Sequence, residues 1–158
     1  MRNLSNEGFT LLELLIAVLV MAMVLAVSYP SLSRASTSLH LRATARDILN
    51  TFRHAKEKAV TQQLGMKVIV DRERQEITIS DSLGEGSRKY ALPDDVRIER
   101  VALGGREMRE GLTVIRFLPN GSSDRAEITI RSHTGSSVRI VSDPIMGGGR
   151  IESSSGER

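Results

Sequence analysis

The stretch that decides the fold is GFTLLELLIAVLVMAMVLAVSY, residues 8–29. Between residues 9 and 29 it carries one charged side chain, Glu13, and no proline. A helix of roughly 20 apolar residues is about 30 Å long, which matches the hydrocarbon thickness of a membrane. An ionisable side chain at that depth costs on the order of 2.5–3.5 kcal/mol, so Glu13 needs a partner or polar surroundings. We therefore predict a membrane-spanning helix over residues 9–29 in which Glu13 has a specific task.

Together with its short polar leader, MRNLSNEG, this stretch resembles the type III signal of type IV pilins and type II secretion pseudopilins. In those families a prepilin peptidase cuts after the glycine and methylates the new N-terminus. The resemblance implies cleavage between Gly8 and Phe9 and N-methylation of Phe9. It also implies that the Glu13 carboxylate neutralises the Phe9 amine of a neighbouring subunit, which offsets the cost of burying both charges. An ordinary signal anchor with an incidental glutamate is the alternative.

The leader, residues 1–8, lacks the A-x-A cleavage site of an ordinary secretory signal, so we expect the apolar run to stay in the mature protein. Arg2 marks the cytoplasmic side by the positive-inside rule. We predict a single-pass inner-membrane protein whose carboxyl-terminal domain lies in the periplasm. After assembly, the subunit would leave the membrane lipid for a periplasmic filament.

The composition restricts the classes of function. The 158 residues have a formal net charge of +3, and the basic residues are spread along the chain, which supports nucleic-acid binding only weakly. Cysteine is absent, which excludes disulfides, thiol nucleophiles and cysteine-based metal sites. Three Phe, two Tyr and no Trp leave few surfaces for stacking bases or sugars.

A second helical segment follows the apolar run. Pro30 is expected to kink or briefly interrupt the helix. Residues 30–64 then read as an amphipathic helix, and Gly65 is the predicted C-cap. The apolar positions on one face recur at alternating spacings of four and three: Leu41, Ala45, Ile48, Phe52, Ala55 and Ala59.

After residue 65 the apolar period changes to two, which indicates strands. Residues 71–74 predict a hairpin turn, and the tail at residues 152–158 predicts disorder. The fold class is therefore α+β and pilin-like, with a long N-terminal helix packed on an antiparallel β-sheet domain at residues 65–151. The predicted strands cover residues 66–70, 76–80, 88–92, 96–101, 112–118, 126–132 and 137–141, with a short edge strand over 146–151.

A second resemblance lies in the sequence around Phe117, Pro119 and Gly121. This F-x-P-x-G turn is similar to that of H-type minor pseudopilins and FimT-like minor pilins, which also end in Gly-Arg-hydrophobic, here residues 149–151. The resemblance implies a minor pseudopilin at or near the tip of the type II secretion pseudopilus, which helps filament assembly and protein export. The implied partners are major and minor pseudopilins, the prepilin peptidase, the inner-membrane assembly platform and a secreted substrate.

Residues that could carry catalysis form no recognisable constellation. His40 and His54 are about four helical turns apart, too far to share a metal ion, and His133 stands in a loop-like Ser-His-Thr-Gly. The chain contains no G-x-S-x-G and no phosphate-binding G-x-x-x-x-G-K-[ST] motif. We therefore predict no enzyme activity, no catalytic residue, no metal and no cofactor. A signal-anchored periplasmic enzyme is the less favoured alternative.

The closing strands suggest a further alternative. Arg131, Arg139 and Arg150 could form a basic stripe for DNA phosphates, and FimT-like proteins of DNA-uptake pili use arginines in this region. Here Arg150 is followed by Ile151 and Glu152, which departs from a paired-arginine pattern and weakens the positive field. DNA binding is therefore an open alternative that the sequence does not favour.

Overall fold

The structure is a computed structural model that describes residues 10–84, 86–145 and 149–153, except for the side chains of residues 26–36 and 153. The chain divides into two compact units, residues 1–36 and 37–158. One helix, α1 (Leu11–Gln62), contributes to both. Gly8 and Phe9 lie outside the described residues, as do residues 154–158 of the predicted tail.

In the first unit, α1 begins directly after Thr10, which is its N-cap. The Thr10 side-chain oxygen accepts a hydrogen bond from the Glu13 amide at 3.2 Å, as N-cap threonines do. The large apolar side chains described between Leu11 and Leu25 are all more than half exposed. Within the described part of the chain, no helix combines the length and apolar composition needed to cross a membrane. The backbone stays helical through Pro30, so the helix is not interrupted there, and the kink stays a prediction.

In the second unit, α1 buries the face that the sequence predicts. Each of the six predicted apolar residues is buried, and Leu49 joins them. The helix ends at Gln62 rather than at residue 64, and Gly65 is not its cap. Gln63 instead adopts the left-handed conformation of a C-terminal cap, with φ 52°, and its side-chain amide donates to the Val60 carbonyl at 2.8 Å. The side chain thus satisfies a carbonyl that the helix leaves open.

Nine strands follow in the described part of the second unit. They form two antiparallel sheets, with strand orders β3-β2-β1-β6 and β5-β4-β7-β8-β9. The strands are β1 (Met66–Asp71), β2 (Glu76–Asp81), β3 (Arg88–Ala91), β4 (Val96–Leu103), β5 (Arg106–Met108), β6 (Leu112–Phe117), β7 (Ala126–Ser132), β8 (Ser137–Ser142) and β9 (Gly149–Ser153).

The predicted α+β, pilin-like fold is confirmed, and its β domain consists of two sheets. Two details of the strands differ from the prediction. Strand β5 is absent from the prediction, because three residues are too short to show an alternation. Strand β9 reaches Ser153, so Glu152 and Ser153 belong to the edge strand rather than to a tail; the first half of its predicted range, residues 146–148, lies outside the described residues.

The core joins the helix to both sheets. The ring of Phe52 on α1 packs against that of Phe117 on β6, with centroids 5.7 Å apart. On the other sheet, Gly149 of β9 lies under the helix: a β-carbon there would be 2.6 Å from Leu49 Cδ1 and 3.0 Å from the Val141 carbonyl. This close approach explains why glycine occupies that position.

Side chains of the β1–β2 turn connect the two sheets. The Gln75 side-chain carbonyl accepts a hydrogen bond from the Ile98 amide of β4 at 2.6 Å. The Arg72 guanidinium donates to the carbonyls of Glu99 at 2.8 Å and Met108 at 3.1 Å. Glu99 sits at a β-bulge, where the register of β4 against β7 shifts. The turn therefore supplies hydrogen bonds at a point where the ladder of the second sheet is irregular.

Candidate interaction surfaces

The first candidate surface is the N-terminal end of α1. Glu13 lies in the first helical turn, where a carboxylate interacts favourably with the helix dipole. Its amide donates to the Thr10 side chain, and its own side chain is exposed. The exposed apolar side chains that follow it are a surface suited to lipid or to other helices. The predicted cleavage and methylation site lies outside the described residues.

The predicted F-x-P-x-G turn has a structural task. Phe117 is buried in the core, and Gly121 has φ 84°, a left-handed conformation that glycine adopts without strain. The Gly121 amide donates to the Leu118 carbonyl at 2.9 Å, which closes the turn. The position of a β-carbon on Gly121 is 3.6 Å from atoms of Lys56 and Val60 on the helix. The motif therefore packs the β6–β7 connection against α1.

Three predicted arginines, Arg131, Arg139 and Arg150, are exposed on neighbouring strands β7, β8 and β9. Two of them have acidic partners. Arg131 lies 2.7 Å from a Glu99 carboxylate oxygen, and Arg150 lies 2.7 Å from Glu152, which raises the pKa of the Arg150 guanidinium. These acids reduce the positive field available to a phosphate.

Two further arginines complete this surface. Arg97 is directly opposite Arg131 in the β4–β7 ladder, and Arg100 is opposite Thr129, which in turn is opposite Arg139. Directly opposite residues share a face, so four arginines surround Thr129 on the outer face of the second sheet. We call Arg97, Arg100, Arg131 and Arg139 the arginine face. The sequence could not reveal it, because strict alternation along β4 would place Arg97 and Arg100 on opposite faces; the bulge at Glu99 puts them on the same one.

Two of the three histidines, His40 and His133, have structural contacts. The His40 ring lies 3.1 Å from the Asp95 carboxylate, and the His133 amide donates to the Asp95 carbonyl at 3.1 Å. Asp95 thereby links α1 to the β7–β8 turn. His54 is exposed on the helix beside a crevice next to β3. Across residues 10–84, 86–145 and 149–153, no group of three His, Asp or Glu side chains is arranged to hold a metal ion.

The ionisable groups with shifted pKa values are scattered. Burial, together with the nearby Asp47 carboxylate, raises the pKa of Tyr90. On the opposite edge of the same sheet, the hydrogen bond from Arg116 lowers the pKa of Asp124. Each shift comes from burial or from a local pair, and these groups do not converge in one cavity. A cavity of about 460 Å³ does lie at the sheet junction, where Arg97, Glu99 and Arg131 line it.

The comparison with known proteins defines the class first. The prokaryotic N-terminal methylation motif matches residues 4–29, so the chain carries the prepilin-type signal that the sequence predicts. This motif precedes a pilin-like α+β fold. The predicted resemblance to type IV pilin-like proteins is therefore confirmed in its motif and in its fold.

Comparison with solved structures then shows which kind of pilin-like protein shares this fold. A structure of the minor pseudopilin EpsH from the type II secretion system of Vibrio cholerae superimposes with a TM-score of 0.61 at 12% identity, covering 75% of this chain and 99% of that chain. A second EpsH structure from the same system gives a TM-score of 0.59 at 13% identity, covering 75% and 97%. Among curated proteins, no sequence matches this chain significantly.

Proposed function

We propose that this protein is an H-type minor pseudopilin, a subunit at or near the tip of the periplasmic filament of a type II secretion system. One observation carries the proposal: a methylation motif at residues 4–29 is joined to the fold of the minor pseudopilin EpsH. The arrangement suits mechanical and recognition tasks, because the exposed groups are an apolar helix and a polar β domain. Filament assembly and protein export are the processes it would serve.

In this proposal, the prepilin peptidase cuts between Gly8 and Phe9 and methylates Phe9. The apolar helix over residues 9–29 holds the subunit in the inner membrane and later packs among other subunits. Glu13 pairs with the Phe9 amine of a neighbour, because two opposite charges cost less to bury together than apart. The periplasmic β domain contacts other pseudopilins or the secreted substrate, and the assembly platform extracts the subunit from the membrane.

The N-terminus of the protein tests this proposal. We expect mass spectrometry to find a peptide that begins with methylated Phe9 in cells with the prepilin peptidase, and an intact Met1 N-terminus in cells without it. The matched control is a Gly8→Ala variant in cells with the prepilin peptidase. It alters only the residue before the cut and leaves the helix unchanged, so a change in the amount of methylated Phe9 peptide would reflect the cleavage site itself. An intact Met1 N-terminus in both strains would contradict the proposal and favour a simple signal anchor.

DNA binding, as in FimT-like minor pilins, is a second candidate because the four residues of the arginine face share one surface. Electrostatic binding to a duplex weakens steeply with salt. If this candidate is correct, the full-length protein in detergent will bind duplex DNA at low salt, and Arg97→Ala with Arg139→Ala will weaken binding at least tenfold. Arg106→Ala on β5 is the control. Salt-independent or absent binding would exclude this candidate.

A further inference from the structure

A crevice of about 300 Å³ lies beside strand β3 in the second unit. One wall is a polar flank of α1 that includes Asp47, Thr51 and His54, which recur at helical spacing. The other wall is β3, which lies at the edge of its sheet with β2 as its neighbour on one side. The crevice therefore runs between a helix and an edge strand.

The floor of the crevice is apolar and its outer wall is not. Ile77 and Ile79 of β2 form the floor, with 1% and 6% of their surfaces exposed. In the β2–β3 ladder, Tyr90 is opposite Ile77 and Arg88 is opposite Ile79, so these two side chains share the core-facing side of the sheet. A cationic side chain on a core-facing position is costly unless water or a partner meets it.

The polar groups of the crevice differ in what they already bind. The Asp47 carboxylate accepts a hydrogen bond from the Tyr90 hydroxyl at 3.1 Å. Asp47 therefore already has a partner, and the bond connects β3 to the helix. The Lys89 ammonium lies 3.9 Å from the Glu76 carboxylate, a long contact. The Arg88 guanidinium is exposed, and among the described residues it forms no ion pair. Lys89 is opposite Thr78 and so faces the other side of the sheet, which leaves the Arg88 guanidinium as the cationic group available at the rim, above an apolar floor.

From these contacts we propose that the crevice docks an extended acidic segment of a partner protein. An aliphatic side chain of that segment enters above Ile77 and Ile79, and a carboxylate beside it binds Arg88. The free edge of β3 can bind the backbone of the segment, since exposed edge strands accept an added strand. Charges on a short edge strand also discourage unspecific pairing, and this makes the site selective for an acidic partner. The proposal concerns the second unit alone, residues 37–158, and stands whichever filament or membrane system the protein serves.

The test uses the full-length protein in non-ionic detergent and a fluorescein-labelled peptide of sequence EELEE as the probe. We expect fluorescence anisotropy to show saturable binding, at least fivefold weaker for EESEE and undetectable for KKLKK. Arg88→Glu should weaken EELEE binding at least tenfold, because it reverses the free charge on the rim. Thr51→Trp should weaken it similarly, because the indole fills the crevice. The matched control is Arg106→Glu, an equal charge reversal on the edge of the other sheet.

Several results would overturn the proposal. Equal affinity of EELEE for the wild type and for Arg88→Glu would exclude the crevice, provided that both proteins unfold at the same temperature. An equal loss in Arg106→Glu would mean unspecific attraction by net charge, and equal binding of EELEE and EESEE would mean that the apolar floor is not used. Self-association that the peptide displaces and Arg88→Glu abolishes would make a second copy of this chain the occupant, against the partner we propose.

Discussion

The side-chain carbonyl of Gln75 accepts a hydrogen bond from the backbone amide of Ile98 at 2.6 Å, across the junction of the two sheets. Gln75 itself has a left-handed backbone, with φ 55°, and its side chain reaches β4. The side chain of a hairpin-turn residue thus accepts a backbone hydrogen bond from β4, as the backbone of a neighbouring strand would. This contact connects two sheets whose backbones belong to separate ladders.

Replacing this side chain will destabilise the β domain. In Gln75→Ala, the buried Ile98 amide loses its acceptor, and an unsatisfied buried donor costs about 1–3 kcal/mol. Denaturant unfolding of the full-length protein in detergent should show this loss. The control is Gln62→Ala at the exposed end of α1, which should change stability by no more than about 0.5 kcal/mol. Equal stability of Gln75→Ala and Gln62→Ala would mean that a water molecule accepts the hydrogen bond of the Ile98 amide in place of Gln75.

Gly149 on β9 does not have room for a side chain. A β-carbon added there would lie 2.6 Å from Leu49 Cδ1 and 3.0 Å from the Val141 carbonyl oxygen. Gly149→Ala should therefore cost about 1–3 kcal/mol through overpacking, measured by denaturant unfolding. Gly65→Ala is the control, because the closest atom to its β-carbon would be 3.7 Å away. Adding Leu49→Ala to Gly149→Ala should cost less than the sum of the single changes in a double-mutant cycle. Additive costs would show that Leu49 is not the obstacle.

Glu13 should be needed for assembly and not for processing. In Glu13→Ala, we expect a normal cleaved and methylated N-terminus but at least a tenfold loss of incorporation into filaments, because the neighbouring Phe9 amine has no partner for its charge. Incorporation is measured by chemical cross-linking of the subunit to sheared filaments. The matched control is Glu57→Ala on the exposed face of the same helix. Normal incorporation of Glu13→Ala would contradict the pairing.

The Arg116–Asp124 pair should make stability depend on acid pH. The Asp124 carboxylate accepts from Arg116 Nε at 2.9 Å and from Nη2 at 3.1 Å, and this hydrogen bonding lowers the pKa of Asp124 in the folded protein. Since the folded pKa lies below the unfolded one, the contribution is present above the unfolded pKa of about 4 and is lost as the pH falls through the folded value. Asp124→Asn should therefore be less stable than the wild type at pH 6 and approach it near pH 2.

Thermal unfolding at several pH values measures this difference. An exposed ion pair contributes at most about 1 kcal/mol, so the shift in melting temperature will be a few degrees. Asp94→Asn, in the exposed turn before β4, serves as the control and should keep the pH dependence of the wild type. A stability difference for Asp124→Asn that stays constant from pH 6 to pH 2 would contradict a role for the ionised pair.

Local periodicity predicted much of the fold. The buried face of α1, including Ile48 and Phe52, and the alternation along β1 and β7 were readable because each residue's neighbours in sequence determine which face it shares. The prepilin-type signal was readable for a related reason: its residues are contiguous, and no folding is needed to bring them together.

The remaining features depend on residues that are distant in sequence. The bulge at Glu99, which completes the arginine face, follows from how β4 pairs with β7. The crevice at β3 lies where Tyr90 meets Asp47, 43 positions apart in sequence. The sequence by itself therefore determined the helix, the strands other than β5, and the signal, because these follow from short-range patterns. Only the tertiary structure decided the division into two sheets and the partners of the charged side chains. The local alternation of apolar and polar residues is compatible with several strand registers, and contacts between residues distant in sequence select one of them.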